Sequence, residues 1–475
     1  MTKRVLRLLA PLAAGALMVA AVASPAHAAP TQGAADGLRQ IQVRQSLLGT
    51  HTWYQQTYRG LPVVGGYYVK HVDAAGKVTA VDLRKPVTGL SSNTAGLAQD
   101  RARSSVSKRL GTQPSRSELV VVPGANGAGA KLAWQVVTKT GKGSVRSLVD
   151  ANSGATLKEQ NTVKEADKHN SIGVGIVFDP NPVVALQNES LTDMDNADYP
   201  AIRRAYKVVA LTKLNKGDTL QGAYANNLSD PAVTSKNHVF LFNRSQDGFE
   251  QVMTYYSFTK TEDYIHALGF KDVNNESQDY VTTGFTDDNS FYDPEVDQIT
   301  FGTGGVDDAE DNEVIWHEYG HAIQDDQVPG FGESEEAGAM GEGFGDYWAV
   351  TMSQANSPNT ATTPQACVMD WDSTSYTDDT PHCLRRTDGP KVYPGDLDGE
   401  VHDDGEIWSH GLWDINRALG RTAANRIILE SQFFFTPTIT MPEAANLTVI
   451  TARALYGKQA AANACTAAFH ARGIL

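Results

Sequence analysis

The front part of the chain alternates apolar and polar residues in short runs, a pattern typical of β-hairpins. One hairpin is predicted over residues 51–83 with its turn at 73–77, and a second over residues 131–154. Between them, residues 97–111 carry apolar positions at helical spacing and predict one helix. We therefore predict a small α+β unit over residues 40–160, without a cluster of metal-ligand type.

Farther along the chain, the apolar positions adopt a helical period. Thr440 and Glu443 have the spacing of a capping box at a helix start. The predicted helical stretches are residues 406–420, 444–457 and 459–473. The region that follows Val174 is instead rich in aspartate and asparagine, with aromatic strands. We expect a β-rich middle part and a mainly helical C-terminal part.

The first 28 residues have the three parts of an export signal. A basic start is followed by an apolar run over residues 8–23 and by the small-residue pattern Ala26-His27-Ala28. The alternative is a membrane anchor, which is disfavoured because Pro11 interrupts a run already short for a bilayer. We predict a signal peptide at 1–28 and a secreted, extracellular protein without a stable membrane anchor.

Charge divides the chain into two unlike parts. Residues 29–165 carry a net charge of +10, whereas residues 166–475 carry −28. The length of 475 residues and the 41% hydrophobic content exclude a disordered chain and predict two or three folded units. Long-range attraction would favour docking of the basic part on the acidic part, although two separately solvated surfaces would carry the same charges. The acidic main part argues against nucleic acid as a partner.

Three cysteines occur in the chain. Cys367 and Cys383 lie sixteen residues apart across a polar loop, and export would allow a disulfide between them. Cys465 lies in an alanine-rich stretch, where we expect a small buried apolar residue and not a nucleophile.

The strongest chemical signal is His317-Glu318-Tyr319-Gly320-His321, within a helix predicted over residues 307–323 whose first turn is acidic. A spacing of four puts both histidines on one helical face, where two imidazoles can hold one Zn²⁺ at ~2.0–2.1 Å. Glu318 lies beside that face and could act on a zinc-bound water without ligating the metal. For the pentapeptide alone, two surface histidines on a helix are the alternative.

A catalytic zinc needs a third protein ligand and an open position for water. The candidates are Glu333, Glu335, Glu336 and Glu342. Glu342 fits best, because a second helix predicted over residues 336–346 puts Glu342 and Asp346 one turn apart. Asp346 could accept the free N–H of a ligand histidine, or it could face solvent near a helix end. Four glycines in this helix are costly there and indicate a close approach to the zinc helix.

These residues resemble the thermolysin-like zinc metallopeptidase superfamily, the gluzincins. The Tyr-Gly inside the histidine motif and the Gly-Glu-Gly-Phe-Gly-Asp sequence of residues 341–346 are closer to the fungalysin family. Residues 51–56 and 60–66 resemble the propeptides of the thermolysin and fungalysin families.

The resemblance implies an α+β fold with a two-lobed catalytic domain behind a small α+β propeptide. It implies a propeptide at 29–165 that inhibits the enzyme and assists folding. A β-rich N-terminal lobe with the zinc helix would follow at 166–330, and a mainly helical C-terminal lobe at 331–475. The cleft between the lobes would hold protein or peptide substrates.

Other roles come from the same resemblance. Residues 289–291, which are Asn289, Ser290 and Phe291, are similar to the edge strand that pairs with the substrate backbone, with Asn289 holding the new amine; a hairpin turn is the alternative. His402, in preference to His410, resembles the oxyanion donor, and Asp398 could orient it. Arg385 resembles the arginine that binds the substrate carbonyl beyond the cut bond, although Arg386 could serve instead.

The chain also departs from the thermolysin pattern. The loop at 329–334 lacks the tyrosine expected between the second histidine and the third ligand, so oxyanion stabilisation would depend mainly on zinc and His402. The acidic cluster of a double calcium site is missing from residues 350–360. Asp307, Asp308 and Glu313 could still bind Ca²⁺, or they could form a solvated helix cap.

We therefore expect a zinc-dependent endopeptidase that is made as a zymogen and acts as a monomer, with Glu318 as general base. An aminopeptidase would need an acidic anchor for the free α-amine, which is not evident in the sequence. A binding protein with a structural zinc would need a fourth protein ligand. A serine hydrolase is disfavoured because no Gly-x-Ser-x-Gly elbow occurs.

Overall fold

The computed structural model describes residues 37–90, 92–124, 129–140, 143–160, 171–457 and 459–475. The predicted signal peptide at 1–28 and the predicted boundary between residues 165 and 166 lie outside these ranges. No helix within the described ranges is long and apolar enough to cross a membrane.

The front unit is an eight-stranded sheet with one helix, in the order β1-β2-β3-β5-β6-β7-β8 and with β4 beside β3. Both predicted hairpins and the predicted helix are confirmed. Helix α1 packs on the sheet through Ala102 and Val106, which contact Val136 and Val149. The elements are β1 (Gly37–Gln45), β2 (Gly49–Tyr58), β3 (Leu61–Asp73), β4 (Val78–Leu83), α1 (Gln99–Leu110), β5 (Arg116–Val122), β6 (Lys131–Thr140), β7 (Gly143–Asp150) and β8 (Thr156–Gln160).

The middle of the chain combines short strands with two long helices. A three-stranded sheet has the order β10-β9-β12, and a four-stranded sheet has the order β11-β13-β15-β14 with β14 at its edge. The elements are β9 (Ser171–Val177), α2 (Pro182–Leu186), β10 (Lys207–Leu214), β11 (Ala225–Asn227), β12 (Val239–Phe240), α3 (Gly248–Leu268), β13 (Gln278–Val281), β14 (Phe291–Asp293), β15 (Gln298–Thr300) and α4 (Asn312–Gln327). Helix α3 was not predicted. It is buried on most sides, so it lacks the one-sided apolar stripe that identifies a surface helix.

Helix α4, which carries the histidine motif, begins later than predicted. Asp311 caps it by accepting a hydrogen bond from the backbone N–H of Glu313, and residues 308–310 form a separate 3₁₀ turn. The acidic residues before the helix are buried and do not form a solvated cap. Glu310, for example, forms an ion pair with Arg244, and both side chains are fully buried.

The C-terminal part is mainly helical, as predicted. Thr440 and Glu443 form the capping box of α8. Cys367 and Cys383 form the predicted disulfide, and Cys465 is buried and free. The elements are α5 (Glu335–Ser353), β16 (Cys367–Val368), β17 (Arg385–Arg386), α6 (Val401–Leu419), α7 (Arg421–Gln432), α8 (Met441–Tyr456) and α9 (Gln459–Ala471).

The front unit packs directly on the rest of the protein. Trp53 and Val69 belong to the main hydrophobic core together with residues of the later helices. At the polar edge of this contact, Arg44 pairs with Asp326 and Arg146 pairs with Glu295. The ion pairs join the basic part to the acidic part, as the charge distribution predicts.

Candidate active site

Helices α4 and α5 cross at very short range because glycines remove the side chains between them. A Cβ on Gly345 would lie 2.7 Å from Nδ1 of His317, and a Cβ on Gly320 would lie 3.1 Å from Cα of Gly345. The predicted close approach is therefore present. The contact between α4 and α5 does not explain every glycine of α5. A Cβ on Gly343 would instead lie 2.2 Å from the carbonyl oxygen of Gly405 in α6.

The crossing brings His317, His321 and Glu342 together. Nε2 of His317 lies 3.1 Å from Oε2 of Glu342, and Nε2 of His321 lies 3.5 Å from Oε1 of the same carboxylate. One ligand atom from each residue lies within 4.8 Å of the other two, so the three can hold one metal ion. Two imidazole nitrogens and a carboxylate are a donor set that suits zinc. The other glutamates considered from the sequence are not in this cluster.

The protonation of the cluster follows from its burial and its pairing. Burial lowers the pKa of His321 to about 4, which favours the neutral form that a metal requires. Burial also lowers the pKa of His317, but hydrogen bonds to Asp346 and Glu342 outweigh this effect and raise it to about 10. Burial raises the pKa of Glu342, yet His321 and His317 hold it well below its usual range. The carboxylate is therefore an anionic ligand.

Asp346 lies on the far side of His317. Its Oδ1 is 3.0 Å from Nδ1 of His317, where it can fix the tautomer that leaves Nε2 for a metal. Arg385 donates two hydrogen bonds of 2.7 Å to the same carboxylate. Burial raises the pKa of Asp346, but Arg385 and His317 outweigh this effect and lower it to about 2. The sequence placed Asp346 but did not connect it to Arg385.

Glu318 lines the same cleft but is not one of the three clustered side chains. Burial raises the pKa of Glu318 to about 7, although the charge of His317 lowers it in part. A carboxyl group with a pKa near neutrality can accept and return a proton at physiological pH. This position is suitable for a general base.

His402 lies in the first turn of α6, with half of its side chain exposed to the cleft. Its Nε2 is 3.4 Å from Oε2 of Glu342. The prediction that Asp398 orients His402 is wrong. Glu400 contacts the ring instead, with its Oε1 2.7 Å from Nδ1 of His402. Glu400 is the N-cap of α6, so its carboxylate points along the first turn. Asp398 instead accepts a hydrogen bond from the backbone N–H of Glu400.

The four residues predicted to bind substrate, Asn289, Ser290, Phe291 and Arg385, all line the cleft, which has a volume of about 460 Å³. Phe291 begins β14, which lies at the edge of its sheet, and an edge strand is the kind of element that pairs with an extended peptide. Asn289 and Ser290 precede it, and the hydroxyl group of Ser290 donates to Asp308. All the residues that line the cleft lie between 289 and 402, and none comes from the described part of the front unit.

Asp307, Asp308 and Glu313, the possible calcium ligands, do not form one metal-binding cluster among the described residues. Glu313 accepts a hydrogen bond from the backbone N–H of Met369, and all three acids are buried. Asp308 instead groups with Asp288 and Asp372 beside the cleft. This acidic group is not evident in the sequence, because Asp372 lies 64 residues after Asp308 along the chain.

Residues 215–438 match the family model described as fungalysin metallopeptidase, and residues 36–83 match the one described as fungalysin/thermolysin propeptide motif. No curated protein matches the chain. Among solved structures, the Bacillus megaterium YpeB C-terminal domain is 10% identical with a TM-score of 0.20. That match covers 26% of this chain and 56% of the other chain.

Proposed function

We propose, from the premise that this chain is a fungalysin-type, thermolysin-like metallopeptidase, that it is a secreted zinc endopeptidase made as a zymogen. The observation that carries the proposal is the separation of roles in the cleft. Three side chains converge to hold a metal, while the adjacent Glu318 stays outside their cluster with a pKa near 7. A purely structural zinc site would have no use for such a carboxylate.

We assign the metal to His317, His321 and Glu342. Zinc bound there would supply a Lewis acid that polarises the scissile carbonyl and lowers the pKa of its water toward ~7. Glu318 accepts the proton of the attacking water and passes it to the leaving nitrogen. With both ring nitrogens protonated, His402 donates from Nε2 to the developing oxyanion while its Nδ1–H donates to the carboxylate of Glu400.

The remaining residues position the substrate. The outer edge of β14 pairs with the peptide backbone, and Asn289 binds the new amine. Arg385 binds the carbonyl group beyond the cut bond while its other donors remain on Asp346. The front unit is proposed as the propeptide, docked through the ion pairs of Arg44 and Arg146.

The proposal is tested with a Glu318→Gln variant of the matured protein. The amide keeps the shape of the side chain but cannot accept a proton, so zinc should stay bound at one per chain while casein hydrolysis falls by about 10³-fold or more. The wild-type protein should lose activity to 1,10-phenanthroline and regain it with zinc. An active Gln variant would refute Glu318 as the base. Bound zinc without any wild-type activity would favour a binding protein.

A further inference from the structure

The cleft has walls of mixed character. Val314, Met369 and Leu384 line it with apolar side chains, and Asp308 and Asp372 line it with carboxylates. We call these five residues the acidic subsite. An apolar wall with negative charge behind it suits a long side chain that has a hydrocarbon stem and a cationic head.

The carboxylates of this subsite have unused hydrogen-bonding capacity. Asp308 and Asp372 are only 3% and 4% exposed. Within the part of the chain that the structure describes, neither Oδ1 of Asp308 nor Oδ1 of Asp372 has a hydrogen-bond partner. Asp308 receives a bond from the hydroxyl group of Ser290 at its other oxygen. A buried carboxylate oxygen without a partner costs free energy, and a donor that enters from the cleft would remove that cost.

A third carboxylate increases the negative potential. The carboxylates of Asp288, Asp308 and Asp372 are close together, and one oxygen atom from each lies within 4.8 Å of the other two. Asp288 is tied by a 2.8 Å hydrogen bond from the hydroxyl group of Tyr376, which also lines the cleft. Burial raises the pKa of Asp308 and of Asp372, and neighbouring carboxylates add to the effect. Arg385 is close enough to oppose this rise at Asp372, but its guanidinium is paired with Asp346.

We propose that the acidic subsite binds a lysine or arginine side chain of the substrate, at the residue that follows the cut bond. The inference depends on the proposed function, since it uses the assignment of Arg385 to the carbonyl group beyond that bond. Leu384 directly precedes Arg385 in the chain, and Val368, which precedes Met369, pairs with Arg385 across β16 and β17, which places the subsite on that side of the metal cluster. The ammonium or guanidinium group donates to the free oxygens of Asp308 and Asp372, and the methylene stem lies against the apolar walls.

A calcium ion is the alternative occupant of three close carboxylates. The apolar walls favour the side chain, because an ion needs only oxygen ligands whereas Val314, Met369 and Leu384 offer none. Oδ1 of Asp288 already accepts a hydrogen bond from Tyr376, whereas Oδ1 of Asp308 and Oδ1 of Asp372 have no partner among the described residues.

The test compares quenched peptides that differ only in the residue after the cut bond, either lysine or leucine. The measured quantity is the ratio of the two kcat/KM values, in which effects on the shared catalytic groups cancel. We expect the wild-type ratio to favour lysine by about tenfold or more, and Asp308→Asn and Asp372→Asn each to lower it by about tenfold. Asp378→Asn, an exposed aspartate of the same loop, is the matched control and should keep the wild-type ratio.

The outcomes separate the two proposals. A wild-type preference for leucine overturns the acidic subsite while the proposed endopeptidase stands, and this result needs no variant to fold. Calcium that binds at one per chain after EGTA treatment, is lost in Asp308→Asn, and leaves the lysine ratio unchanged also overturns it. A matured, zinc-loaded wild-type protein that cuts neither peptide nor casein refutes the proposed function itself.

Discussion

Gly345→Ala should damage the metal site, although alanine is the better helix former. The added Cβ would lie 2.7 Å from Nδ1, 2.8 Å from Cε1 and 2.9 Å from Cγ of His317. Real Cβ atoms do not approach this closely, so the imidazole ring must move. The ring cannot move freely, because it is buried and bonded to Asp346 and Glu342. We expect an overpacking cost of about 1–3 kcal/mol, against a helix-propensity gain of about 1 kcal/mol.

Gly341→Ala is the matched control, because it lies one turn earlier in the same helix. The nearest atoms that its Cβ would meet are 3.7 Å away, which is ordinary contact. The control should keep wild-type zinc affinity and gain up to about 1 kcal/mol of stability.

The assay is competition of each matured variant with a zinc chelator, together with thermal unfolding. Displacement of His317 from its hydrogen bonds should weaken zinc binding by about 10–100-fold in Gly345→Ala. If Gly345→Ala bound zinc as tightly as Gly341→Ala, the close packing of the two helices would not position the ligand. The close contact of Gly345 with His317 would then not be needed for zinc binding.

Two further predictions concern the front contact and the Asp346 pair. Burial lowers the pKa of His51 to about 3 and of His71 to about 4. The unfolded chain therefore binds more protons, so the contribution of these two histidines to the free energy of unfolding should be constant above about pH 7 and fall by about 2 kcal/mol per histidine by pH 5. His71→Phe should reduce the fall measured by thermal unfolding, and an unchanged fall would contradict the assignment. Arg385→Ala should lose about 3–5 kcal/mol of stability, because the buried carboxylate of Asp346 would lose its guanidinium partner and keep the bond from His317. Arg386→Ala, at an exposed ion pair, should lose less than about 1 kcal/mol in urea unfolding.

The sequence predicted the parts of the site that depend on short spacings. The histidines, Glu342 and Asp346 are separated by whole helical turns within two segments, so periodicity alone places each pair on one face. The glycine-rich helix indicated a close crossing for the same local reason. The capping box at Thr440 was also legible, because the interaction spans three residues.

The features that the sequence did not predict depend on burial and on contacts between residues that are far apart along the chain. The acidic residues before α4 look like a solvated cap in sequence, but tertiary contacts such as the Arg244–Glu310 pair bury them. Helix α3 carries polar residues that are buried by contacts from several sides, so its pattern has no clear face. The same limit hid Asp372, which lies inside the loop closed by the Cys367–Cys383 disulfide and lines the cleft.

Asp346 connects the metal site to the substrate groove through a single carboxylate. Its Oδ1 faces Nδ1 of His317 and also accepts from Arg385, so both groups draw on the same negative charge. A substrate carbonyl that accepts a hydrogen bond from Arg385 would therefore compete weakly with Asp346 and leave more of its charge to His317. A more basic His317 is a stronger donor to the metal. Substrate binding at Arg385 and metal binding at His317 should thus be coupled through Asp346, whose removal would affect both at once.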